Sequence, residues 1–154
     1  MIAVDTNLLV YSHRRDSEWH QPSRDVILQL AEGRSPWSIP WPCLYEFYSV
    51  VTHPRIYDPA STPEEALSQI RTWLDSPSLV LLAESTGYRT ELLGLLQRSR
   101  PLGPKVHDAR IAALCLHAGV RELLSADRDF SLFPSLRTRN PLLETRGKRR
   151  LRKP

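Results

Sequence analysis

Four acidic residues occupy positions where an alternating strand–helix chain would bring carboxylates together: Asp5, Glu46, Asp108 and Asp127. Asp5 directly follows the apolar residues 2–4, and Asp127 closely follows the last predicted strand, residues 122–125. Asp108 lies in the first turn of the helix that leads into that last strand. In open α/β sheets, ligands bind beyond the carboxyl ends of the strands, so these acids can meet at one sheet edge.

Clustered carboxylates repel one another, which raises their pKa values, and a divalent cation relieves that repulsion. Oxygen ligands favour hard ions such as Mg²⁺, Mn²⁺ or Ca²⁺ over zinc. The five histidines form no closely spaced pair, and Cys43 and Cys115 belong to no CxxC pair. The composition of the site therefore favours a hard cation, and the cysteines are expected to be buried and unpaired.

Glu46 lies within residues 41–48, a run rich in aromatic and aliphatic side chains, where an unpaired buried carboxylate would be costly. A cation or a nearby arginine could compensate it. Each other acid also has a simpler explanation. Asp5 suits a helix cap, Asp108 complements a helix dipole, and Asp127 suits a turn. Spacing alone leaves both interpretations open.

The hydrophobic pattern predicts strands that alternate with helices, which indicates an α/β fold with a parallel sheet and right-handed crossovers. A Pro-Gly loop is expected over 100–105, and residues 62–65 form a capping box. Strands are predicted at 2–4, 37–39, 79–82 and 122–125, and helices at 6–11, 17–32, 42–53, 62–74, 86–99 and 107–118.

The chain has 154 residues, enough for one domain with a proper core. Residues 146–153 carry six positive and no negative side chains; without them the net charge of +4 becomes −2. This tail, residues 144–154, is predicted to be a disordered basic arm that either attracts RNA or is simply a solvated end. The chain shows neither the charge order of a signal peptide nor an apolar run of membrane-spanning length, so a cytoplasmic location without membrane contact is expected.

Four segments together resemble the PIN-domain family, in particular the VapC-like toxins of bacterial toxin–antitoxin pairs. Residues 2–7 resemble its opening strand with Asp-Thr-Asn, and Glu46 resembles its helical glutamate. Residues 106–113 and 123–130 are similar to its last two motifs, except that Ser125 stands where threonine is usual. The resemblance covers residues 1–143.

The resemblance implies a three-layer α/β/α fold with a mainly parallel sheet. It also implies Mg²⁺-dependent RNA cleavage (Mn²⁺ being an alternative ion), and a homodimer inhibited by a small cognate antitoxin. Asp5 and Asp108 are assigned as metal ligands, with Glu46 and Asp127 binding directly or through water. Thr6, Asn7 and Ser125 form a supporting polar shell. Asp129 is a weaker candidate, expected instead to cap a short segment over 130–133.

Other classes fit less well. A haloacid-type phosphatase needs a second aspartate where this chain has Asn7, and a dinucleotide-binding module needs a GxGxxG motif that is missing. The remaining alternative is an inactive PIN scaffold that binds RNA or a protein partner.

Overall fold

The structure, a computed structural model, describes residues 1–143. The predicted tail over 144–154 lies outside the described residues and stays a prediction. The strands are β1 (Ile2–Val4), β2 (Trp37–Pro40), β3 (Leu79–Leu82), β4 (Glu122–Leu124) and β5 (Thr138–Arg139). The helices are α1 (Thr6–His13), α2 (His20–Ala31), α3 (Trp41–Val51), α4 (Pro63–Leu74), α5 (Tyr88–Ser99), α6 (Lys105–His117) and a 3₁₀ helix (Asp129–Leu132).

The five strands form one sheet in the order β3-β2-β1-β4-β5, and every pairing is parallel. From β1 the chain continues outward to β2 and β3, and from β4 it continues outward to β5 in the opposite direction. The strand order therefore reverses between β1 and β4, and open α/β sheets bind ligands at such a point. Val4 is in register with Leu124, and the amide of Asp5 donates to the Leu124 carbonyl at 3.0 Å. The residues that follow β1 and β4 therefore lie side by side.

The sheet lies between two groups of helices. Helix α1 packs against α2 and α3, α3 packs against α4, and α5 packs against α6. Right-handed crossovers place these groups on opposite faces because the connections run in opposite directions along the sheet. Residues such as Val4, Ile39 and Leu123 are almost completely buried, as expected for strands covered on both faces. The predicted three-layer α/β/α fold is confirmed.

Local signals account for several element ends. The Thr62 hydroxyl accepts from the Glu65 amide at 3.2 Å and the Glu65 carboxylate accepts from the Thr62 amide at 2.8 Å, so the capping box is confirmed. Gly119, with φ +66°, follows the end of α6 in the left-handed conformation that glycine adopts most readily. Within residues 1–143, no helix combines the length and the apolar character needed to span a membrane.

Two sequence predictions differ from the structure. Helix α6 begins at Lys105, with Pro104 at its N-cap, whereas the sequence predicted a helix that begins at residue 107. The loop is therefore shorter than predicted, and Lys105 belongs to the helix. Strand β5 was not predicted, because a strand of two residues is too short to show an alternation of apolar and polar side chains.

Candidate functional site

Asp5 is a buried carboxylate at the end of β1, with only 4% of the residue exposed. The Ser125 hydroxyl donates to Oδ2 of Asp5 at 2.6 Å, and the Asn7 side-chain amide donates to the same oxygen. Oδ1 faces the Cys43 thiol, a weak donor, at 3.8 Å. Asp5 precedes α1 but makes no side-chain capping bond, so helix capping does not explain this carboxylate.

The environment of Asp5 opposes its ionisation. The pKa of Asp5 is raised from 3.8 to about 6, mainly by burial and to a smaller extent by the charges of Glu46 and Asp108. The hydrogen bonds from Ser125 and from the Thr6 backbone act in the opposite direction and keep the anion accessible. Asp5 is therefore close enough to two other acids for their charges to raise its pKa.

Glu46 lies on the second turn of α3, at the surface. The Thr6 hydroxyl donates to Oε2 of Glu46 at 2.6 Å, which ties α1 to α3 and orients the carboxylate. The argument that Glu46 would be buried among apolar neighbours was wrong, because Glu46 is exposed while Leu44 and Phe47 face the core. Its negative charge is nevertheless part of the cluster, since it raises the pKa of both Asp5 and Asp108.

Asp108 is the acid that the others surround. It lies in the first turn of α6, which runs back toward β4, so the start of this helix reaches the carboxyl edge of the sheet. The pKa of Asp108 is raised to about 6, mainly by burial and then by the charges of Asp127, Asp129 and Glu46, against the opposing effect of His107. All four predicted acids are thus within electrostatic range of Asp108 or Asp5.

The segment after β4 is fixed by side chains at the same edge. The Asp127 amide donates to the Ser125 hydroxyl at 3.0 Å, and the Ala126 amide donates to Oδ1 of Asn7 at 3.0 Å. Oδ1 of Asp127 accepts from the Asp129 amide at 2.8 Å. Asp127 is therefore both a turn residue and a member of the acidic cluster, and Ser125 and Asn7 make hydrogen bonds to the residues around it.

Asp129 has a different place from the one expected. The 3₁₀ helix follows Arg128 and has no side-chain capping bond, so the expected capping role of Asp129 was wrong. Its Oδ1 instead accepts from Nζ of Lys105 at 3.1 Å. Asp129 lines a cleft of about 530 Å³ together with Glu46 and Asp108, whereas Asp5 and Asp127 are not among the residues that line it.

The cleft contains residues that the sequence analysis did not single out. Lys105, His107 and Arg110 line it from α6, and Tyr45 lines it from α3. Glu84, which does not line the cleft, binds Arg110: Nη2 of Arg110 donates to Oε1 of Glu84 at 2.8 Å. The sequence did contain a signal for these residues: three basic side chains lie around Asp108 within six positions of one helix.

The donor chemistry fits a hard divalent cation. Within residues 1–143, no Lys, Arg or His forms an ion pair with the four predicted acids, so their charge is uncompensated by the described chain. In this same part of the chain, no three Asp, Glu, His or Cys side chains are arranged to hold one ion by themselves. Mg²⁺ usually keeps several waters and binds one or two carboxylates directly, so a partly open set of acids suits it.

Comparisons with known proteins identify the family. The PIN domain family profile matches residues 2–135. A VapC ribonuclease from Mycobacterium bovis is 32% identical over 142 residues, covering 92% of this chain and 96% of its own length.

Solved structures show the same fold. The VapBC2 structure from Rickettsia felis, bound to a promoter DNA fragment, matches with a TM-score of 0.63 at 20% identity, covering 91% of this chain and 98% of that one. VapC20 from Mycobacterium tuberculosis, a sarcin-ricin loop cleaving toxin, matches with a TM-score of 0.63 at 15% identity, covering 85% and 93%. Nucleases of this kind generally depend on a divalent metal. The chain belongs to the PIN domain family and is a ribonuclease of its VapC branch.

Proposed function

We propose that this chain is a Mg²⁺-dependent endoribonuclease toxin that hydrolyses RNA phosphodiester bonds at the site formed by Asp5, Glu46, Asp108 and Asp127. One observation carries the proposal. Asp5 and Asp108 lie within electrostatic range of each other, both have pKa values of about 6, and neither is paired with a cation from residues 1–143. Mn²⁺ is an alternative ion with the same oxygen preference.

The roles follow from burial and hydrogen bonding. Asp5 and Asp108 are assigned as the principal ligands because each combines partial or full burial with uncompensated charge. Glu46 and Asp127 are more exposed and contribute directly or through water. The Thr6 hydroxyl fixes the carboxylate of Glu46, which is assigned to orient the attacking water. A divalent ion supplies charge neutralisation and an activated water for phosphodiester hydrolysis.

The same charges control access of the substrate. An acidic cluster without a cation repels phosphate, so RNA and ion are expected to bind together. Lys105 and Arg110 line the α6 side of the cleft and are placed to attract the phosphates that flank the cleaved bond. Asp129 holds Lys105 at 3.1 Å, so this acid acts mainly by positioning the ammonium group.

The toxin assignment includes a partner and a location. The Rickettsia felis structure is of a VapBC complex, which supports a cognate small antitoxin as the partner of this chain. We assign the protein to the cytoplasm, where its RNA substrate is found, and a homodimer as its assembly. Co-expression with the product of a small upstream reading frame, followed by co-purification, tests the partner.

The test of the site compares two pairs of variants. Asp5→Asn and Asp108→Asn each remove one carboxylate charge from the cluster, whereas Asp58→Asn and Asp75→Asn change exposed acids elsewhere. We expect cleavage of RNA by the first pair to fall by more than the roughly 10- to 100-fold that loss of a supporting residue costs. The second pair should cleave like the unmodified protein, and a chelator should abolish cleavage by all.

Undiminished cleavage by both Asp5→Asn and Asp108→Asn would refute the assignment. Calorimetric titration with Mg²⁺ or Mn²⁺ distinguishes the hypothesis of an enzyme from that of an inactive scaffold. Binding of Mg²⁺ or Mn²⁺ that is lost in Asp108→Asn supports the enzyme, and absence of binding to the unmodified protein supports the scaffold.

A further inference from the structure

An exposed aromatic ring stands at the mouth of the acidic cleft. Tyr45 is 61% exposed although it belongs to α3, whose neighbouring residues Leu44 and Phe47 are buried. The Tyr45 ring stacks on the ring of Trp41, with centroids 5.8 Å apart and planes inclined by 25°. Trp41 is partly buried against the core. The tryptophan therefore braces one face of the tyrosine ring.

The position of Tyr45 along α3 explains this arrangement. Residues four apart on a helix are neighbours on one side, so Trp41 and Tyr45 stack without distorting the helix. A ring held in place by a neighbour loses little rotational freedom when a ligand covers it. Tyr45 is thus preorganised to receive a flat partner.

The cleft places this ring opposite positive charge and beside the acids. Tyr45 and Glu46 are consecutive on the α3 wall, and Lys105, Asp108 and Arg110 are on the α6 wall. The volume of about 530 Å³ lies within the range of about 300–1,000 Å³ typical of small-ligand sites. The ring of Tyr45 suits a base, the ammonium group of Lys105 suits a phosphate, and the acids suit the bond that reacts. The three groups together therefore match the parts of one nucleotide.

We propose that Tyr45 is a nucleobase-stacking subsite, which holds an unpaired base of the RNA next to the phosphate that is cleaved. This inference rests on the proposed function for its substrate, and adds how that substrate is positioned. The open face of Tyr45 stacks on the base, while Lys105 contacts the adjoining phosphate. Stacking accepts any base because every base has a π-face, so the subsite selects unpaired RNA rather than a sequence.

The inference is tested by binding, so that its outcome does not depend on cleavage. The RNA probe is a fluorescent hexauridylate, and the comparison probe is an abasic ribose-phosphate hexamer with the same number of phosphates. Both are titrated with Asp108→Asn protein, which lacks one of the charges that repel phosphate and is not expected to cleave the probes, and the dissociation constant is measured by anisotropy. Tyr45→Ala, Tyr45→Phe and Tyr45→Leu are compared in this background. Leu93→Ala, which changes an exposed side chain on α5, is the control.

We expect Tyr45→Ala to weaken hexauridylate binding by roughly 5- to 150-fold, the effect of losing one base–aromatic stack. Tyr45→Phe should stay within about 2-fold because it keeps the ring. Tyr45→Leu should resemble Tyr45→Ala because it keeps apolar area without a π-face. The abasic probe should bind all five proteins alike. Tryptophan fluorescence of the protein, to which Trp41 contributes, should change with hexauridylate only when a ring is present at position 45.

Equal weakening of both probes by Tyr45→Ala would overturn the inference, and so would unchanged binding of hexauridylate. Sedimentation of each variant is measured alongside. If Tyr45→Ala alters the oligomeric state and loses affinity for both probes, Tyr45 belongs to an interface between copies and the inference is again overturned. Failure of the nuclease proposal itself would appear separately, as undiminished cleavage by Asp5→Asn and Asp108→Asn.

Discussion

The Ser125 hydroxyl donates a 2.6 Å hydrogen bond to Oδ2 of Asp5 across the junction between β4 and β1. The same hydroxyl oxygen accepts from the Asp127 amide and from the Asn7 side chain, so one small polar group joins two acids of the site. This hydrogen bond is the largest effect that lowers the pKa of Asp5 against burial. Serine in place of the usual threonine keeps that hydroxyl.

We predict that Ser125→Ala raises the pKa of Asp5 further and weakens metal binding. Loss of a group that supports a metal ligand typically costs about 10- to 100-fold in affinity or activity. The acid limb of the pH–rate profile should move to higher pH, because more of Asp5 is protonated at a given pH. Cleavage rates measured from pH 5 to 8 at several Mg²⁺ concentrations check this.

Ser125→Thr is the matched variant, since it restores the hydroxyl. It should recover the unmodified pH profile. A profile that stays in place in Ser125→Ala would show that the hydroxyl does not control the ionisation of Asp5.

Stability of the metal-free protein should depend on the charge of Asp5. Because the folded-state pKa is about 6 and the ordinary value is 3.8, the folded state binds a proton more tightly than the unfolded state. Stability from this group is therefore highest below pH 4, and it is lost as the pH rises through 6. The loss is at most about 3 kcal/mol, which follows from two pKa units at about 1.4 kcal/mol each.

Asp5→Asn removes this dependence. In chelator, the melting temperatures of variant and unmodified protein should be similar near pH 4, with the variant higher at pH 7. Mg²⁺ at pH 7 should raise the melting temperature of the unmodified protein and leave Asp5→Asn nearly unchanged. A difference between the two proteins that stays constant from pH 4 to 7 contradicts the raised pKa.

Much of this site follows from positions that the sequence already marks. An acid directly after a buried strand, or in the first turn of the helix feeding the next strand, is carried to the same sheet edge by the parallel topology. Asp5 and Asp108 were predicted as site residues in this way. The expected capping role of Asp129 was wrong because a turn residue's side-chain partner depends on what the neighbouring helix presents, here Lys105.

What the sequence did not reveal has physical causes as well. Glu46 was expected to be buried because its neighbours in the chain are apolar, but on a helix the neighbours in space are three and four positions away. Strand β5 has two residues and no alternation. The acidic cleft between α3 and α6 arises from helices far apart in the chain, so no local pattern could place Tyr45 opposite Lys105.

Lys105 provides a test of substrate contact that is independent of the acids. We predict that Lys105→Gln weakens RNA binding and lowers the slope of log K against log salt by about 1, as expected when one phosphate contact is lost. Arg98→Gln removes an exposed charge on α5, where its carboxylate partner Glu91 is 3.6 Å away, and should leave the slope unchanged. Equal slopes for both variants would mean that Lys105 only positions Asp129.

Glu122 makes the small fifth strand important to the site. Its buried carboxylate accepts from Nε of Arg137 and from Nε of Arg139, each at 2.9 Å, and so fastens β5 to β4. The carbonyl of Arg139 in turn accepts from the Ser125 amide at 3.0 Å. The strand that the sequence did not show thus holds the backbone of the residue that holds Asp5.

Glu122→Ala should therefore lower both stability and activity. Because the two arginines reach solvent and can be rehydrated, the expected loss is about 1–3 kcal/mol, less than for a fully buried pair. Glu122→Gln keeps hydrogen-bond acceptance and should lose less. Urea denaturation measures the stability, and hydrogen exchange at the Ser125 amide reports release of β5. If that amide exchanges no faster in Glu122→Ala while stability falls, the carboxylate stabilises the core without holding the strand that supports the site.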